Sequence, residues 1–234
     1  VNSILALDCA TNACSVALNL NGEYKQILKT KARIHNRILL PMIDRLLSQA
    51  GLRPKDLDLL VCGIGPGAFM GVRIAVAAAQ GLATAADLPL IPISSLYALA
   101  QQAWRNQVSK PFKGGILTLL DARLSQVYWG CYEEYEKYEA DKEPKRLLKE
   151  KISPQLAFPA EVNPPIDIAL GIGEGWNYQA KLPSPLRELK EVVKDGMPQA
   201  RHLIEVALSQ KHPLIYNPRL LSPLYLRNQI SGRF

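Results

Sequence analysis

The run Gly63-Ile64-Gly65-Pro66-Gly67-Ala68-Phe69-Met70-Gly71-Val72-Arg73 constrains this chain more than any other stretch, because it sets four glycines and a proline between two apolar segments. Residues 59–64 read as a buried strand, and the alanine-rich stretch 71–86 reads as a helix. The loop therefore delivers its amides to a helix N-terminus, where anions and close chain crossings are both favoured. No Gly-Lys-Ser/Thr follows, which excludes a Walker A loop, and the Gly-x-Gly-x-x-Gly spacing of a dinucleotide fingerprint is absent. Two readings stand. Gly65, Gly67, Gly71 and Arg73 form a phosphate cradle, or the glycines let a helix pack closely on a sheet.

The chain start supplies a second part. Residues 3–8 form a short apolar strand ending in Asp8, followed by the polar turn Cys9-Ala10-Thr11-Asn12-Ala13-Cys14-Ser15 and a second strand over 16–20. Asn21-Gly22 then signals a hairpin into a third strand from Glu23. An Asp closing the first strand ahead of a small-residue Thr/Ser turn is similar to the opening of actin-like and sugar-kinase-like folds. There the turn faces nucleotide phosphate and the Asp faces metal or water, which makes Asp8 and Thr11 candidates beside the glycine loop. Asp8 equally suits a cap on the adjacent turn.

Several further motifs occur in one order: Arg33-x-His35 ahead of Leu40-Pro41-Met42-Ile43, Pro92-Ile93-Ser94-Ser95-Leu96, Asp121-Ala122-Arg123 with Val127-Tyr128-Trp129, and Tyr225-Leu226-Arg227. Together with Asp8-x-x-Thr11 and the glycine loop, they resemble the TsaB (YeaZ) family. Its members are inactive paralogues in the bacterial machinery that places threonylcarbamoyl on adenosine 37 of tRNAs reading codons that begin with A. The resemblance is densest over 3–130, thins over 131–200 and returns at the C-terminus. Ala68 and Met70 depart from the family pattern, which generally has Ser and Thr there. Both changes delete a hydroxyl while leaving the backbone amides in place.

Composition agrees with a cytoplasmic protein of that kind. At 234 residues and 48% hydrophobic content, the chain is long enough for two modest lobes. No apolar run approaching the ~18 residues of a membrane span and no signal-peptide pattern is expected. Cys9, Cys14, Cys62 and Cys131 include no Cys-x-x-Cys pair, so reduced core or turn cysteines are expected and zinc is not. The net charge of +7 is concentrated at the end, where 211–234 hold Lys211, Arg219, Arg227 and Arg233 and no acidic residue. A tail of this kind either touches nucleic-acid phosphate or is a solvated end, and it lacks the adjacent basic residues and stacking aromatics of a nucleic-acid track.

The remaining elements alternate helix and strand. Residues 36–50 read as a helix with Leu39, Met42, Ile43 and Leu46 at helical spacing, Pro41 kinking its first turns and Gly51 stopping it. A strand over 90–93 and a helix over 95–105, with Ser95 as its N-cap, complete the first lobe. Residues 106–114 read as a linker, 116–120 and 126–132 as a hairpin, and the charge-mixed 133–151 as an exposed excursion. A strand over 166–170, the glycine turn 171–175 and a helix over 199–210 follow. That second glycine cluster reads as a structural turn rather than an adenosine contact. No internal sequence repeat is visible. The expected fold is α/β, a two-lobed actin-like or sugar-kinase-like (ASKHA) arrangement of mixed sheets flanked by helices. Its first lobe is 1–106, completed by 211–234, and its second is 107–210.

Nothing in the chain assembles a nucleophile. The resemblance implies a catalytic paralogue whose metal is held by a His-x-x-x-His pair on the helix after the Pro92-Ile93 strand, since i and i+4 imidazoles share one helix face. Ser95 and Leu99 fall at those positions here. The histidines, His35, His202 and His212, are far apart in sequence, and His35 reads as a cap or packing residue. Ser94 and Ser95 lack triad partners. The resemblance accordingly implies a noncatalytic scaffold for the threonylcarbamoyl transferase, with no metal or cofactor of its own and with ATP or ADP only in the complex. Its implied partners are the TsaD-type paralogue, a TsaE-type ATPase and, through them, tRNA; alone, it is expected to form a homodimer. The expected interface is the helix pair, with Leu39, Met42, Ile43 and Leu46 on one helix and Val72, Ala75, Val76, Ala79 and Ala83 on the other; a core role for each is the competing reading. The alternatives are an ATP-dependent phosphotransferase or ATPase built on Asp8, Thr11 and the glycine loops, and a plain tRNA-binding module using Arg219 and Arg227.

Overall fold

The computed structural model of the chain describes residues 1–30, 34–107, 113–138, 144–209 and 212–227. Arg33, Lys211, Arg233 and the middle of the expected linker lie outside the described residues.

The first sheet is built from β1 (Ser3–Asp8), β2 (Ala13–Leu20), β3 (Glu23–Thr30), β4 (Leu59–Gly63) and β5 (Leu90–Ile93), in the order β3-β2-β1-β4-β5. β1, β2 and β3 pair antiparallel, whereas β4 and β5 run parallel to β1. Period-2 alternation divides β1 cleanly. Leu5 and Leu7 point to one face, where α1 (His35–Gln49) and α2 (Phe69–Ala86) cover them. Ile4 and Ala6 point to the other, toward α3 (Ser95–Gln107) and α5 (Ala200–Ser209). α1 runs through Pro41 without a break and ends at Gly51, whose φ of +67° gives the expected stop. α2 starts two residues earlier than its pattern suggests and is long and apolar enough to cross a membrane. This differs from the expectation that no such run exists. The inner side of α2, Val72, Ala75, Val76, Ala79 and Ala83, is buried against the sheet, so this is the length and composition of a core helix.

The second sheet comprises β6 (Gly115–Asp121), β7 (Val127–Lys137), β8 (Lys145–Ala157), β9 (Ile168–Ile172) and β10 (Val192–Val193), in the order β10-β9-β6-β7-β8. Read from the central strand outward it repeats the first: β6, β7 and β8 are antiparallel, and β9 and β10 are parallel to β6. Two sheets of one topology with helices on their faces make the two-lobed actin-like fold. α3 and α5 follow the last strand of each sheet and pack on one another between the sheets, where Tyr97, Leu99, Leu203 and Ile204 join Ile116 and Leu120 in one core.

The stretch 133–151 is no featureless excursion, for among its described residues β7 extends to Lys137 and β8 returns antiparallel from Lys145. The mixed charge that suggests a loop is a cross-strand ladder. Glu134 pairs with Arg146, and Glu133 lies 3.2 Å from Lys149 and 3.4 Å from Lys151. Leu148 of β8 is buried in the core between the sheets, and Leu147 is buried on the opposite face of the strand.

Candidate functional site

Five segments converge on a cleft of about 480 Å³ between the lobes: the β1–β2 turn, the glycine loop, the β6–β7 turn, Glu174 and the C-terminal stretch 223–227. Thr11 and Gly67 line it. The other residues singled out for phosphate lie elsewhere. Asp8 is 1% exposed; its Oδ1 accepts the Ala10 amide at 2.8 Å and its Oδ2 accepts the Ser95 hydroxyl at 2.6 Å. Ser95 Oγ in turn accepts the Gly65 amide at 3.2 Å. Gly63 closes the remaining side, because a Cβ there would run into the Asp8 carboxylate. Burial raises the Asp8 carboxyl above its ordinary pKa, and the hydrogen bonds from Ser95 and Ala10 only partly offset that shift. The carboxylate is a structural bolt joining β1, the glycine loop and α3.

The glycines serve close approach. A Cβ on Gly67 would run into the Ala10 carbonyl and one on Gly71 into the Cys9 carbonyl, while the Ala68 amide donates to Ala10 O at 2.6 Å. The helix N-terminus is thus pressed onto the β1–β2 turn. Gly65, with φ +87°, turns the chain beside Val72. Arg73 is not among the cleft-lining residues: its guanidinium sits 3.7 Å over the Phe69 ring and its Nε donates to the Tyr225 hydroxyl at 2.8 Å.

Sequence reasoning did not single out Asp121, Arg123, Glu174 or Arg227 as cleft residues. Asp121 closes β6 as Asp8 closes β1, and its Oδ1 likewise accepts the amide two residues on, from Arg123 at 2.8 Å. That repeated Asp at a strand end is the signal that would have found it. The cleft charges are largely spent on neighbours. Arg123 Nη1 lies 3.2 Å from Asp121, and Arg227 Nη2 donates to Ala122 O at 3.0 Å and to Gln126 Oε1 at 2.8 Å. Burial, reinforced by the nearby Asp121 charge, raises the Glu174 carboxyl. Arg123, Leu124 and Ser125 all have φ between 52° and 63°, so this turn carries a strain that bulky side chains rarely accept.

The helix pair resolves differently from its sequence reading. Leu39, Met42, Ile43 and Leu46 of α1, and Val72, Ala75, Val76, Ala79 and Ala83 of α2, are all buried on the inner faces. They fasten the helices to the sheet, because the same apolar spacing that marks an interface also marks a sheet-facing stripe. The outer face includes Leu40 and Asp44 of α1 and Met70, Ala77, Gly81 and Ala85 of α2, all exposed.

The remaining candidates occupy structural posts. Leu99 is fully buried and Ser95 is held by Asp8; the α3 cap is Ser94, whose hydroxyl accepts the Leu96 amide at 3.2 Å. His35 packs beneath Gly71 with Nε2 at 3.4 Å from Asn12 O, so it is a packing residue, and the α1 cap position is Ile34. His202 bonds Glu205 and His212 bonds Val206 O. Among the described residues no three His, Cys, Asp or Glu side chains converge. The four cysteines are free and buried. In the second glycine cluster, Gly171 gives room to the Trp176 ring, and Gly173 and Gly175 to the β6 backbone, which is the structural reading.

Comparison with known proteins matches this geometry. Residues 27–192 match the family model described as TsaD, tRNA N6-adenosine threonylcarbamoyltransferase. The chain is 35% identical over 99% of its length to the tRNA threonylcarbamoyladenosine biosynthesis protein TsaB of Haemophilus influenzae, covering 96% of that protein. It is 33% identical over 98% of its length to TsaB of Escherichia coli, again covering 96% of it. The solved structure of YeaZ from Pseudomonas aeruginosa superposes with a TM-score of 0.80 at 32% identity, covering 97% of this chain and all of that one. Likeness along almost the whole of each chain, in sequence and in the two-lobed fold, assigns this chain to the TsaB (YeaZ) family of tRNA threonylcarbamoyladenosine biosynthesis proteins.

Proposed function

We propose that this chain is the noncatalytic scaffold and activator of a tRNA threonylcarbamoyladenosine synthase, and that it presents the outer face of α1 and α2 to a TsaD-type catalytic paralogue. The observation that carries the reading is the fate of the i, i+4 pair on α3. Where the resemblance puts two metal-binding histidines, this chain has Ser95, whose hydroxyl bolts Asp8 in place, and Leu99, which fills the core. A residue committed to such a bond is not available to substrate or metal.

The outer helix face suits a partner. Gly81 has open space above it, and the small Ala77 and Ala85 beside it let another helix approach closely. Leu40 and Met70, 56% and 63% exposed, add apolar area at its margins. In this proposal the same face pairs two copies when the chain is alone. The TsaE-type ATPase, ATP or ADP, and tRNA join only with the assembled complex, in the cytoplasm. The proposed lobe division, 1–106 with 211–234 against 107–210, gives α5 to the second lobe. There it follows the last strand as α3 does in the first.

The test is to mix the purified chain with its cognate TsaD-type paralogue and measure complex mass and affinity for wild type and a Leu40→Glu/Ala77→Glu variant. Both positions are exposed, so the variant keeps its far-UV spectrum, and two carboxylates placed in an apolar contact are expected to weaken the complex by about a hundredfold or more. Absence of any complex with the wild-type chain would remove the scaffold reading.

A further inference from the structure

The flank of α1 that faces away from α2 borders a second feature. A groove of about 580 Å³ lies between α1 and β3, the edge strand of the first sheet. Ile27, Ile34, Ile38 and Pro41 contribute apolar surface to it, and Lys29, Arg37 and Arg45 are its charged lining residues. No carboxylate lines the groove, and none of the three cations has an ion-pair partner among the described residues. Three unpaired cations around an apolar groove make a surface complementary to carboxylates.

The strand itself is half engaged. Tyr24 and Gln26 point to the α5 side, where the Arg201 guanidinium lies 4.9 Å from the Tyr24 ring and Gln26 bonds Gln199 at 2.9 Å and the Arg201 amide at 3.0 Å. Alternation sends Ile27 and Lys29 to the groove side. β2 pairs with one edge of β3 along its full length, and no strand among the described residues pairs with the other. An open edge beside an apolar groove is the geometry that accepts an added strand, with main-chain bonds giving affinity and alternate side chains giving specificity.

We propose that this groove receives an extended segment of a partner protein that adds to β3 as a sixth strand, and whose groove-facing positions, every second residue, carry both apolar and acidic side chains. Its apolar side chains would lie on Ile27, Ile34 and Ile38, and its carboxylates would meet Lys29, Arg37 and Arg45. The proposal is independent of the docking assigned to the outer helix face, since the groove lies on the other flank of α1.

A capped, fluorescein-labelled peptide with valine and glutamate taking turns at every second position and serine between them, titrated into the full chain and followed by anisotropy, tests it. Saturable, salt-sensitive binding is expected. An Arg37→Glu/Arg45→Glu variant, whose folding is checked by its melting curve, should weaken binding about tenfold or more. N-methylation of alternate peptide amides should abolish binding if the peptide adds as a strand. The proposal is overturned if the peptide does not saturate below about 1 mM, the weak end of specific affinity. It is equally overturned if the same peptide with lysine in place of glutamate binds as well or if the charge-reversed variant binds unchanged. A wild-type dimer that the same variant dissolves, with no peptide binding, would assign the groove to a second copy instead.

Discussion

The two lobes are built on one plan and finished in different ways. Each has a central strand ending in an aspartate, Asp8 or Asp121, whose carboxylate accepts the amide two residues on. Each has two antiparallel strands to one side, two parallel strands to the other, and a helix, α3 or α5, on the face between the sheets. The outer faces differ. The first lobe is roofed by α1 and α2, of 15 and 18 residues. The second is roofed by the short turns Pro159–Glu161 and Glu174–Lys181 and by α4 (Ser184–Arg187). The cause is legible in the residues: Pro159, Pro164, Pro165, Pro183 and Pro185 interrupt the second roof, whereas α2 contains no proline and α1 only Pro41. A thin roof leaves the sheet to be covered by large side chains, and a helical roof adds a continuous outer surface. The proposed docking face belongs to the lobe that has one.

Removing the largest single piece of the thin roof tests this contrast most severely. Trp176 is fully buried, lies against Gly171 and donates its indole N–H to Leu117 O at 3.3 Å. Trp176→Ala is expected to destabilise the protein by about 4 kcal/mol, with hydrogen exchange rising first in β6 and β9. Met42→Ala in the helical roof should cost about 3 kcal/mol and loosen only the first lobe. A Trp176→Ala variant melting within about 1 kcal/mol of wild type would mean that the second roof does not depend on this indole.

The same contrast decides how much could be read before any fold was known. The first lobe was legible because its signals are local. Glycines mark the crossing before α2, helical spacing marks α1, and the strand boundaries of β4 and β5 fall within a residue of their patterns. The second lobe hides β8, since a strand that carries charges on both faces looks like a loop until Glu133 and Glu134 of β7 find their partners across the hairpin. The site was less legible than the fold. Spacing identifies which residues of α1 and α2 share a face, but not whether that face meets the sheet or a partner. The duplicated sheet order leaves no sequence repeat because only strand polarity and burial are shared.

The α3–α5 core between the sheets also contains a buried carboxylate. Glu205 of α5 accepts Arg105 Nε of α3 at 3.1 Å and sits 3.1 Å from His202 Nδ1 and 3.3 Å from Arg201 Nε. Burial alone would raise its pKa, but His202 and Arg105 outweigh that and hold it at about 2. A depressed pKa contributes stability that is present above the ordinary glutamate value and lost as pH falls toward the folded one. Glu205→Gln is therefore expected to cost about 2 kcal/mol at neutral pH. Its melting temperature should approach that of wild type as pH drops below about 4. A constant gap across that range would show that packing, rather than charge, holds α5 to α3.

The paired aspartates give a smaller effect of opposite sign. Asp8 is raised by burial, so the favourable contribution of its proton is complete below the ordinary aspartate pKa and disappears as pH rises through the folded value. Asp8→Asn keeps the shape and can still bond Ser95 and the Ala10 amide. It is expected to gain on wild type as denaturant melts move from acid to neutral pH. Asp121→Asn removes a pairing with the exposed Arg123, expected to be worth under about 1 kcal/mol, together with the charge beside Glu174, and should show a much smaller gain. Equal pH profiles for the two variants would make the sealed and the cleft aspartates equivalent.

The smallest expected effect concerns the segment that ties the lobes across the cleft. Residues 221–227 are anchored on the first lobe by buried Leu221, by Gln80 Nε2 bonding Leu221 O at 2.9 Å and by the Leu224 amide bonding Ile64 O at 2.8 Å. Arg227 then reaches the second lobe at Ala122 and Gln126, on either side of the strained Arg123–Leu124–Ser125 turn. Arg227→Ala is expected to cost under about 1 kcal/mol of global stability, because the α3–α5 core already joins the lobes. Its signature should be local, with faster hydrogen exchange at residues 122–127 and unchanged exchange in α1 and α2. Arg73→Ala, which frees Tyr225 on the first-lobe side, should leave that turn protected. If both variants leave its exchange rate unchanged, the turn holds its left-handed conformation without the strap, and the cleft is set by the sheets alone.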